Sequence, residues 1–339
     1  MEKRTALVTA IGSFAADAVI KTLREMGYRV IGSDIYEKEW VANSLEVDVF
    51  YKAPYASDED AYISFIKDVC AKEKVERILP VIDLEVDALN RHRDEIEKDG
   101  VRICMSDHDS IEVLRDKYLM TQLVRGVLGT SEDEEIKAAV RAIPSTRASE
   151  VDFEEVTFPI ILKPVDGRSS CGLYRIFQED QLGFAFSNIM DPEKLNDTSL
   201  EKYIVQPMIK GNVVTVDILR DGEGNFRAVP REELIRTPNG AGLSVRVMED
   251  RVLQDACFKI AERAGIKGCV NFEFIKGESS GIYYFIECNP RFSGGIAFTE
   301  LSGVPMIKNH MYIFDGKPME DMPLQKCGFM TRKYQEIRM

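Results

Sequence analysis

The stretch FIECNPRFSGG, residues 285–295, decides how this chain is read. It continues the run GIYY, so an aromatic, β-branched segment leads into a glutamate, an asparagine and an arginine gathered around a proline. Such a composition favours a strand, and Glu287 falls where that strand runs out. A second strand-like segment, CVNFEFI (269–275), lies just upstream, and only the short KGESSG turn (276–281) separates the two. The pair therefore reads as an antiparallel hairpin. Centred near Ser279 and Ser280, the hairpin brings Glu273 and Glu287 close to opposite one another, each about seven residues from the middle of the turn. Side chains alternate along a strand, so Glu287 and Asn289 share a face.

Two carboxylates facing each other repel and require a cation. Two carboxylates plus one amide carbonyl are hard oxygen ligands that suit magnesium, an ion that keeps some waters and takes the rest of its shell from nucleotide phosphates. Arg291, two positions past Asn289, then faces the same cleft, where it can stabilise negative charge on a transferring phosphoryl group. Taken singly, each acid reads as a solvated residue on the polar face of a hairpin. The E…E-x-N-x-R spacing favours the metal.

A magnesium site implies a phosphate partner, and IILKPVDGRSSCG (160–172) offers one. Lys163 ends an apolar strand, and Gly167, Ser169, Ser170 and Gly172 form a small-residue turn whose N–H groups can close over phosphate oxygens. No GK[ST] follows, so this is not the Walker pattern. On its own the turn reads equally well as a surface hairpin.

The remainder of the chain bounds the answer. At 339 residues it is long enough for two or three units with cores of their own. Hydrophobic residues at 45% and charged residues at 30% exclude a disordered chain. A formal net charge of −13 argues against a broad nucleic-acid-binding face while leaving room for a local basic pocket. Seven cysteines without a CxxC pair, beside three histidines, suggest neither a zinc cage nor a disulfide framework, and fit a reducing cytoplasm. The basic, apolar start is broken by Gly12 and Asp17, so it reads as folded chain and not as a secretory signal. No stretch approaches the ~18 apolar residues of a membrane span.

TALVTAI (5–11) reads as a buried strand, Gly12 and Ser13 as a turn, and Ala16, Val19, Ile20 and Leu23 as one face of a helix. YRVIGSDI (28–35) is a second strand ending at Asp34, which completes a parallel βαβ unit. DAYISFIKDVCAKEKV (60–75) and LEVDALNRHRDEIEKDG (84–100) read as helices, ERILPVID (76–83) and VRICMS (101–106) as strands, giving an open α/β sheet. Asp34, roughly 20 residues after the first turn, sits where a ribose-binding acid would be. The turn AIGSFA, however, has one glycine where a dinucleotide fingerprint needs three, so scaffold is the favoured reading.

The α/β opening, Asp116-Lys117, LKP (162–164) with its small-residue loop, VQPMIKG (205–211), NFEFI (271–275) and IECNPRFSGG (286–295) together resemble the ATP-grasp superfamily. Within it the match lies nearest the large chain of carbamoyl-phosphate synthase and its single-unit relatives. The resemblance covers nearly the whole chain and fits one ATP-grasp unit. It implies a pre-ATP-grasp open parallel sheet (1–106), then linker helices and a small lobe carrying the phosphate loop 166–172 (107–200). A large lobe with the metal site and a C-terminal strand follows (201–339). It implies ATP with Mg2+, or Mn2+ in its place. Lys117 and Lys163 match the positions contacting ATP phosphates, with Lys163 also near adenine. Asp166 to Gly172, with Ser169 and Ser170 inside it, matches the loop that covers the phosphates. Gln206 to Ile209 matches the hinge, where the backbone at Met208 reads the adenine edge; Pro207 has no N–H. Glu273, Glu287 and Asn289 match the metal ligands, and Arg291 the arginine beside the transferred phosphoryl group.

Two features depart from the family. Val213 stands where relatives carry a ribose-binding glutamate, and an acidic SEDEE run (131–135) lengthens the segment after Lys117. The implied activity is phosphorylation of a small-molecule carboxylate by ATP, then attack of an amine on the acyl phosphate; a homodimer is compatible. Arg231, Arg236 and Arg246 are the arginines able to clamp a substrate carboxylate, Arg246 first. Cys171 and Cys288 lack a histidine base, so packing is favoured for both. The rivals are an NAD(P)-dependent oxidoreductase using the first sheet and a non-catalytic ATP-binding regulator.

Overall fold

The computed structural model describes residues 3–167, 171–190, 199–238 and 240–339. Five parallel strands open the chain: β1 (Thr5–Val8), β2 (Arg29–Asp34), β3 (Val49–Lys52), β4 (Arg77–Leu79) and β5 (Arg102–Ile103). They lie in the order β3-β2-β1-β4-β5. Ala6 and Val8 face one core while Leu7 faces another, so the sheet is covered on both sides, as parallel strands require. Two details differ from the sequence expectation. The strand Val49–Lys52 was not foreseen, because its side chains are only half-buried and give no apolar run. The single helix expected over 84–100 is two, Asp83–Arg91 and Arg93–Glu97, meeting at His92.

Eleven further strands follow among the described residues: β6 (Val140–Ala142), β7 (Thr146–Arg147), β8 (Ile160–Pro164), β9 (Tyr174–Ile176), β10 (Tyr203–Pro207), β11 (Gly211–Arg220), β12 (Phe226–Arg236), β13 (Gly242–Val247), β14 (Gly268–Gly277), β15 (Tyr283–Asn289) and β16 (Gly328–Thr331). A four-stranded sheet, β7-β10-β8-β9, packs on the helix Leu182–Ile189 through Leu162, Ala185, Ile189 and Tyr203. The seven-stranded sheet runs β16-β13-β12-β11-β14-β15-β6, antiparallel except that β6 runs parallel to β15. The fold is thus the expected parallel α/β sheet followed by two lobes, one built on the four-stranded and one on the seven-stranded sheet. By packing, the segment 114–140 goes with the large sheet, since Leu114, Met120, Val124, Ile136 and Val140 share its core.

Alternation decides which face of the large sheet does what. Val214, Val216, Ile218, Phe272, Phe274 and Phe285 point into a core closed by the helices Lys117–Gly129 and Arg251–Arg263. Their neighbours Thr215, Asp217, Asn271 and Glu273 point the other way. That second face is polar where it borders the cavity and apolar where Leu219, Val229, Val245, Val247 and Cys269 pack against the first sheet.

The first sheet is pinned to the last helix of the large lobe by Asp315. Its side chain, 2% exposed, accepts from both Arg4 terminal nitrogens (2.5 and 2.7 Å), Arg77 Nε (3.0 Å) and the Tyr28 hydroxyl (2.8 Å). Removing one partner of a buried ion pair leaves uncompensated charge behind. Asp315→Ala is therefore expected to destabilise the first sheet's docking by about 3 kcal/mol, read as a lower midpoint in chemical denaturation.

Candidate functional site

The polar face of the large sheet forms the floor of a cavity of about 650 Å3. The first sheet contributes the turn Ser13–Ala15 and Asp83; the small sheet contributes Lys163, Gly167 and the hinge at Gln206. Register builds the floor. Arg231 pairs with Thr215, Thr215 with Glu273 and Glu273 with Glu287, a single cross-strand row over four strands; Asp217, Asn271 and Asn289 form the row beside it. The opposition of Glu273 and Glu287 read from the hairpin is thus present in the fold.

The hairpin also holds a feature that the sequence concealed. Between Glu273/Glu287 and Phe274/Phe285 the register slips by one residue, so Ile286 is a bulge. A bulge re-aims the side chains around it, and here Ile286 and Glu287 both line the cavity although they are adjacent in sequence. The unequal distances of the two glutamates from the turn were the signal available.

Glu273 and Glu287 are held apart electrostatically by basic side chains. Glu273 pairs with Arg236 Nη2 at 3.1 Å, and Glu287 with Lys117 Nζ at 3.4 Å. Burial pushes the Glu273 carboxyl up, moderated by Arg236 and reinforced by Glu287. Burial acts on Glu287 in the same sense, but Lys117 and Lys163 outweigh it and hold this carboxyl low. Lys163 is buried at the end of β8, and desolvation lowers its pKa to about 8 against the pull of Glu287. Lys117 opens its helix directly after the cap Asp116, whose carboxylate accepts from the N–H groups of Tyr118 and Leu119. Its ammonium also donates to the carbonyl of Gly167, at the start of the phosphate loop.

Arg291 donates to Asp83 Oδ2 (2.7 Å) and Asn289 Oδ1 (3.2 Å), so a residue of the first sheet's helix orients it. Asp83 also lies 3.7 Å from Arg115, which grips Asp87 through two bonds and the carbonyl of Asp166 through a third. Asp83 Oδ1 and Arg291 Nε are buried with no hydrogen-bond partner among the described residues. A polar ligand in the cavity would satisfy such atoms.

Other expectations fare differently. Ser169 and Ser170 lie outside the described residues; Gly172 sits at φ +70°, a conformation that favours glycine. Gln206 lines the cavity and donates to Ser145 Oγ at 2.7 Å. Met208, whose backbone the resemblance sets against the adenine edge, lines the cavity, and its N–H donates to the carbonyl of Pro159 at 3.0 Å just beyond the last pair of β10 with β8, Pro207 with Ile160. Ile209, the next residue, lines the cavity. Arg246 is half-exposed beside Glu232 (2.6 Å) and does not line the cavity, whereas Arg231 and Arg236 do. Asp34 accepts from the N–H groups of Gly12 (2.7 Å) and Tyr36 (3.1 Å), so it braces the first turn. Cys288 is buried and Cys171 exposed, neither in a disulfide.

Among the described residues no group of three or more His, Cys, Asp or Glu is arranged to hold a metal. Two carboxylates and an amide oxygen are nevertheless a fitting donor set for magnesium, which takes few protein ligands. No helix among the described residues is long and apolar enough to cross a membrane.

Two family models match. One describes an "ATP-grasp in the biosynthetic pathway with Ter operon" and covers residues 199–337; the other, a PylC-like N-terminal domain, covers residues 7–104. The carbamoyl phosphate synthase large chain of Clostridium perfringens is 28% identical over 188 residues, 53% of this chain and 16% of that one. Among solved structures, the biotin carboxylase domain dimer of Hydrogenobacter thermophilus 2-oxoglutarate carboxylase, in complex with MgADP, ADP and bicarbonate, superposes with a TM-score of 0.79. It is 19% identical and covers 97% of this chain and 74% of its own. N5-carboxyaminoimidazole synthetase of Staphylococcus aureus complexed with ADP gives 0.72 at 17% identity, covering 97% and 83%. An α/β sheet joined to two lobes around a carboxylate-floored cleft defines the ATP-grasp class. Over residues 199–337 this chain is an ATP-grasp family protein, similar in sequence to the carbamoyl-phosphate synthase large chain and in fold to biotin carboxylase. It spans 16–31% of the length of the curated relatives it matches.

Because the Lys163 ammonium loses its proton near pH 8 in the metal-free protein, ADP affinity measured by calorimetry in EDTA should fall several-fold between about pH 7 and 9. Lys163→Arg, whose guanidinium stays charged, should remove most of that fall.

Proposed function

We propose that this chain is an ATP-dependent carboxylate–amine ligase acting through an acyl phosphate and releasing ADP and phosphate. The supporting observation is the convergence of Glu273, Glu287, Asn289, Arg291, Lys117 and Lys163 on one cavity shared by three sheets. Glu273, Glu287 and Asn289 would hold Mg2+, with Mn2+ as its substitute. Bound there with the nucleotide, the ion supplies positive charge against the triphosphate.

The protein's own side chains carry the rest. Lys163 and Lys117 would face the phosphates from the small sheet and the linker helix, with Gly167 beside them. Arg291, oriented by Asp83, sits where charge builds on the phosphoryl group as it passes to the substrate carboxylate oxygen. The amine then attacks the acyl carbon and phosphate leaves; no protein nucleophile is needed. All three reacting groups are anionic or electron-rich, so catalysis is positioning and charge compensation. Gln206 and the backbone near Ile209 would face the base, with Val213 offering no contact to the ribose.

The oxidoreductase reading has no observation in its favour, since one Asp34 oxygen is engaged by Gly12 of the first turn and the other by Tyr36 just past β2. The regulator reading is separated from the ligase by turnover. A screen of carboxylate and amine pairs with ATP and Mg2+ should release ADP only when both partners are present. Glu287→Gln should lower that rate by about a hundredfold or more with an unchanged circular dichroism spectrum. Normal turnover in this variant would remove the metal assignment.

A further inference from the structure

The cavity has a second end, away from the acid pair. Two strand spacings of about 4.8 Å each separate β12 from β14, which places Glu233 on the far side of the floor from Glu273 and Glu287. Arg231 there is fully buried and committed. It donates to Asp217 Oδ2 (2.5 Å), Glu233 Oε1 (3.2 Å) and Ser293 Oγ (2.9 Å). Thr215 Oγ1 also donates to Glu233 Oε1, at 2.5 Å. Glu233 Oε2, in contrast, has no hydrogen-bond partner among the described residues, although the side chain is 98% buried and lines the cavity.

The neighbouring cations do not answer it. Arg236 is turned to Glu273 Oε2 and the carbonyl of Gly240. Arg332 is turned to the carbonyls of Gly242 and Gly294 and stacks on Phe14 and Phe298. Ser13 Oγ, in the same cavity, is also without a partner among the described residues. The walls are small: Gly240, Ala241, Gly242, Gly294 and Gly295. A Cβ on Gly242 would sit 2.1 Å from Glu233 Oε2, and one on Gly295 2.5 Å from Arg231 Nη2, so glycine at both positions makes room for this pair.

A carboxylate oxygen only accepts hydrogen bonds, and a buried one left unpaired is strongly disfavoured. We propose that Glu233 receives a cationic ammonium group of a substrate other than the attacking amine, which must be neutral to react, so that this end of the cavity selects a small amino compound carrying a cationic nitrogen. The choice of ligand rests on the ligase reading; the vacant acceptor does not. With Arg231 and Thr215 fixing Oε1, Oε2 is presented in one orientation, and the hydroxyl of Ser13 offers a further partner.

The test is calorimetry on the full chain, with and without saturating Mg2+ and AMP-PNP, using the common amino acids and their 2-hydroxy-acid counterparts as probes. At least one amino acid is expected to bind, and its hydroxy counterpart about tenfold or more weakly. Glu233→Gln is expected to weaken the amino acid by a similar factor while AMP-PNP still binds. The proposal is overturned if no amino acid binds, if amino and hydroxy compounds bind equally, or if Glu233→Gln binds the amino acid as the parent does. It is also overturned if the variant loses a Mn2+ ion per chain, which would make Glu233 a metal ligand. Should Glu233→Gln not fold, the paired probes on the unaltered protein decide. Failure of AMP-PNP to bind the unaltered protein would refute the ligase reading alone, and the nucleotide-free comparison would still judge Glu233.

Discussion

Two half-buried carboxylates set face to face across a β-ladder are the constraint around which this molecule is organised. Glu273 and Glu287 lie on neighbouring antiparallel strands, and no geometry of a hairpin lets such a pair stand uncompensated in a cavity. The answer comes from outside the hairpin. Lys117 arrives from a helix that precedes it by more than a hundred residues in sequence, Lys163 from another sheet, and Arg236 from the end of β12. The charges proposed to meet a triphosphate would therefore also be those that make the folded hairpin tolerable. Assembly of the lobes and assembly of the site are one event.

Much of this was legible because the responsible signals are local. A period of two in CVNFEFI and GIYYFIECN, with a short polar turn between, suffices to oppose the two glutamates, and the apolar run of TALVTAI followed by helical spacing suffices for the first βαβ unit. The features that escaped are those set by register or by distant partners. Ile286 bulges because the hairpin is one residue longer on one side, and sequence periodicity treats both sides as equal. That the N–H of Met208 is bonded to the carbonyl of Pro159 follows from how far β10 runs along β8. Arg246 looks as good as Arg231 or Arg236 in a string of letters, since only pairing with Glu232 on β12 turns it away from the cavity. Val49–Lys52 is an edge strand of the first sheet and lacks the apolar run that would announce it.

The first sheet belongs to the site as well as to the scaffold. Its Gly-poor opening turn lacks the glycines for a dinucleotide, yet Ser13, Phe14 and Ala15 wall the same cavity that the large sheet floors. Asp83, at the start of the helix after β4, reaches Arg291 across the gap between the sheets. The family likeness at both ends of the chain is consistent with the two parts having been kept together.

The salt link between Asp83 and Arg291 has a mechanical meaning. A guanidinium whose aim is set by a side chain on another layer reports the spacing of those layers, much as a feeler gauge does. Any tilt of the opening sheet, whether from a bound partner or from loosened packing around Asp315, would be transmitted to the arginine before it disturbed the β-hairpin itself. The reach of that one carboxylate thus ties the alignment of the first layer to the aim of Arg291, the group proposed to meet the phosphoryl charge.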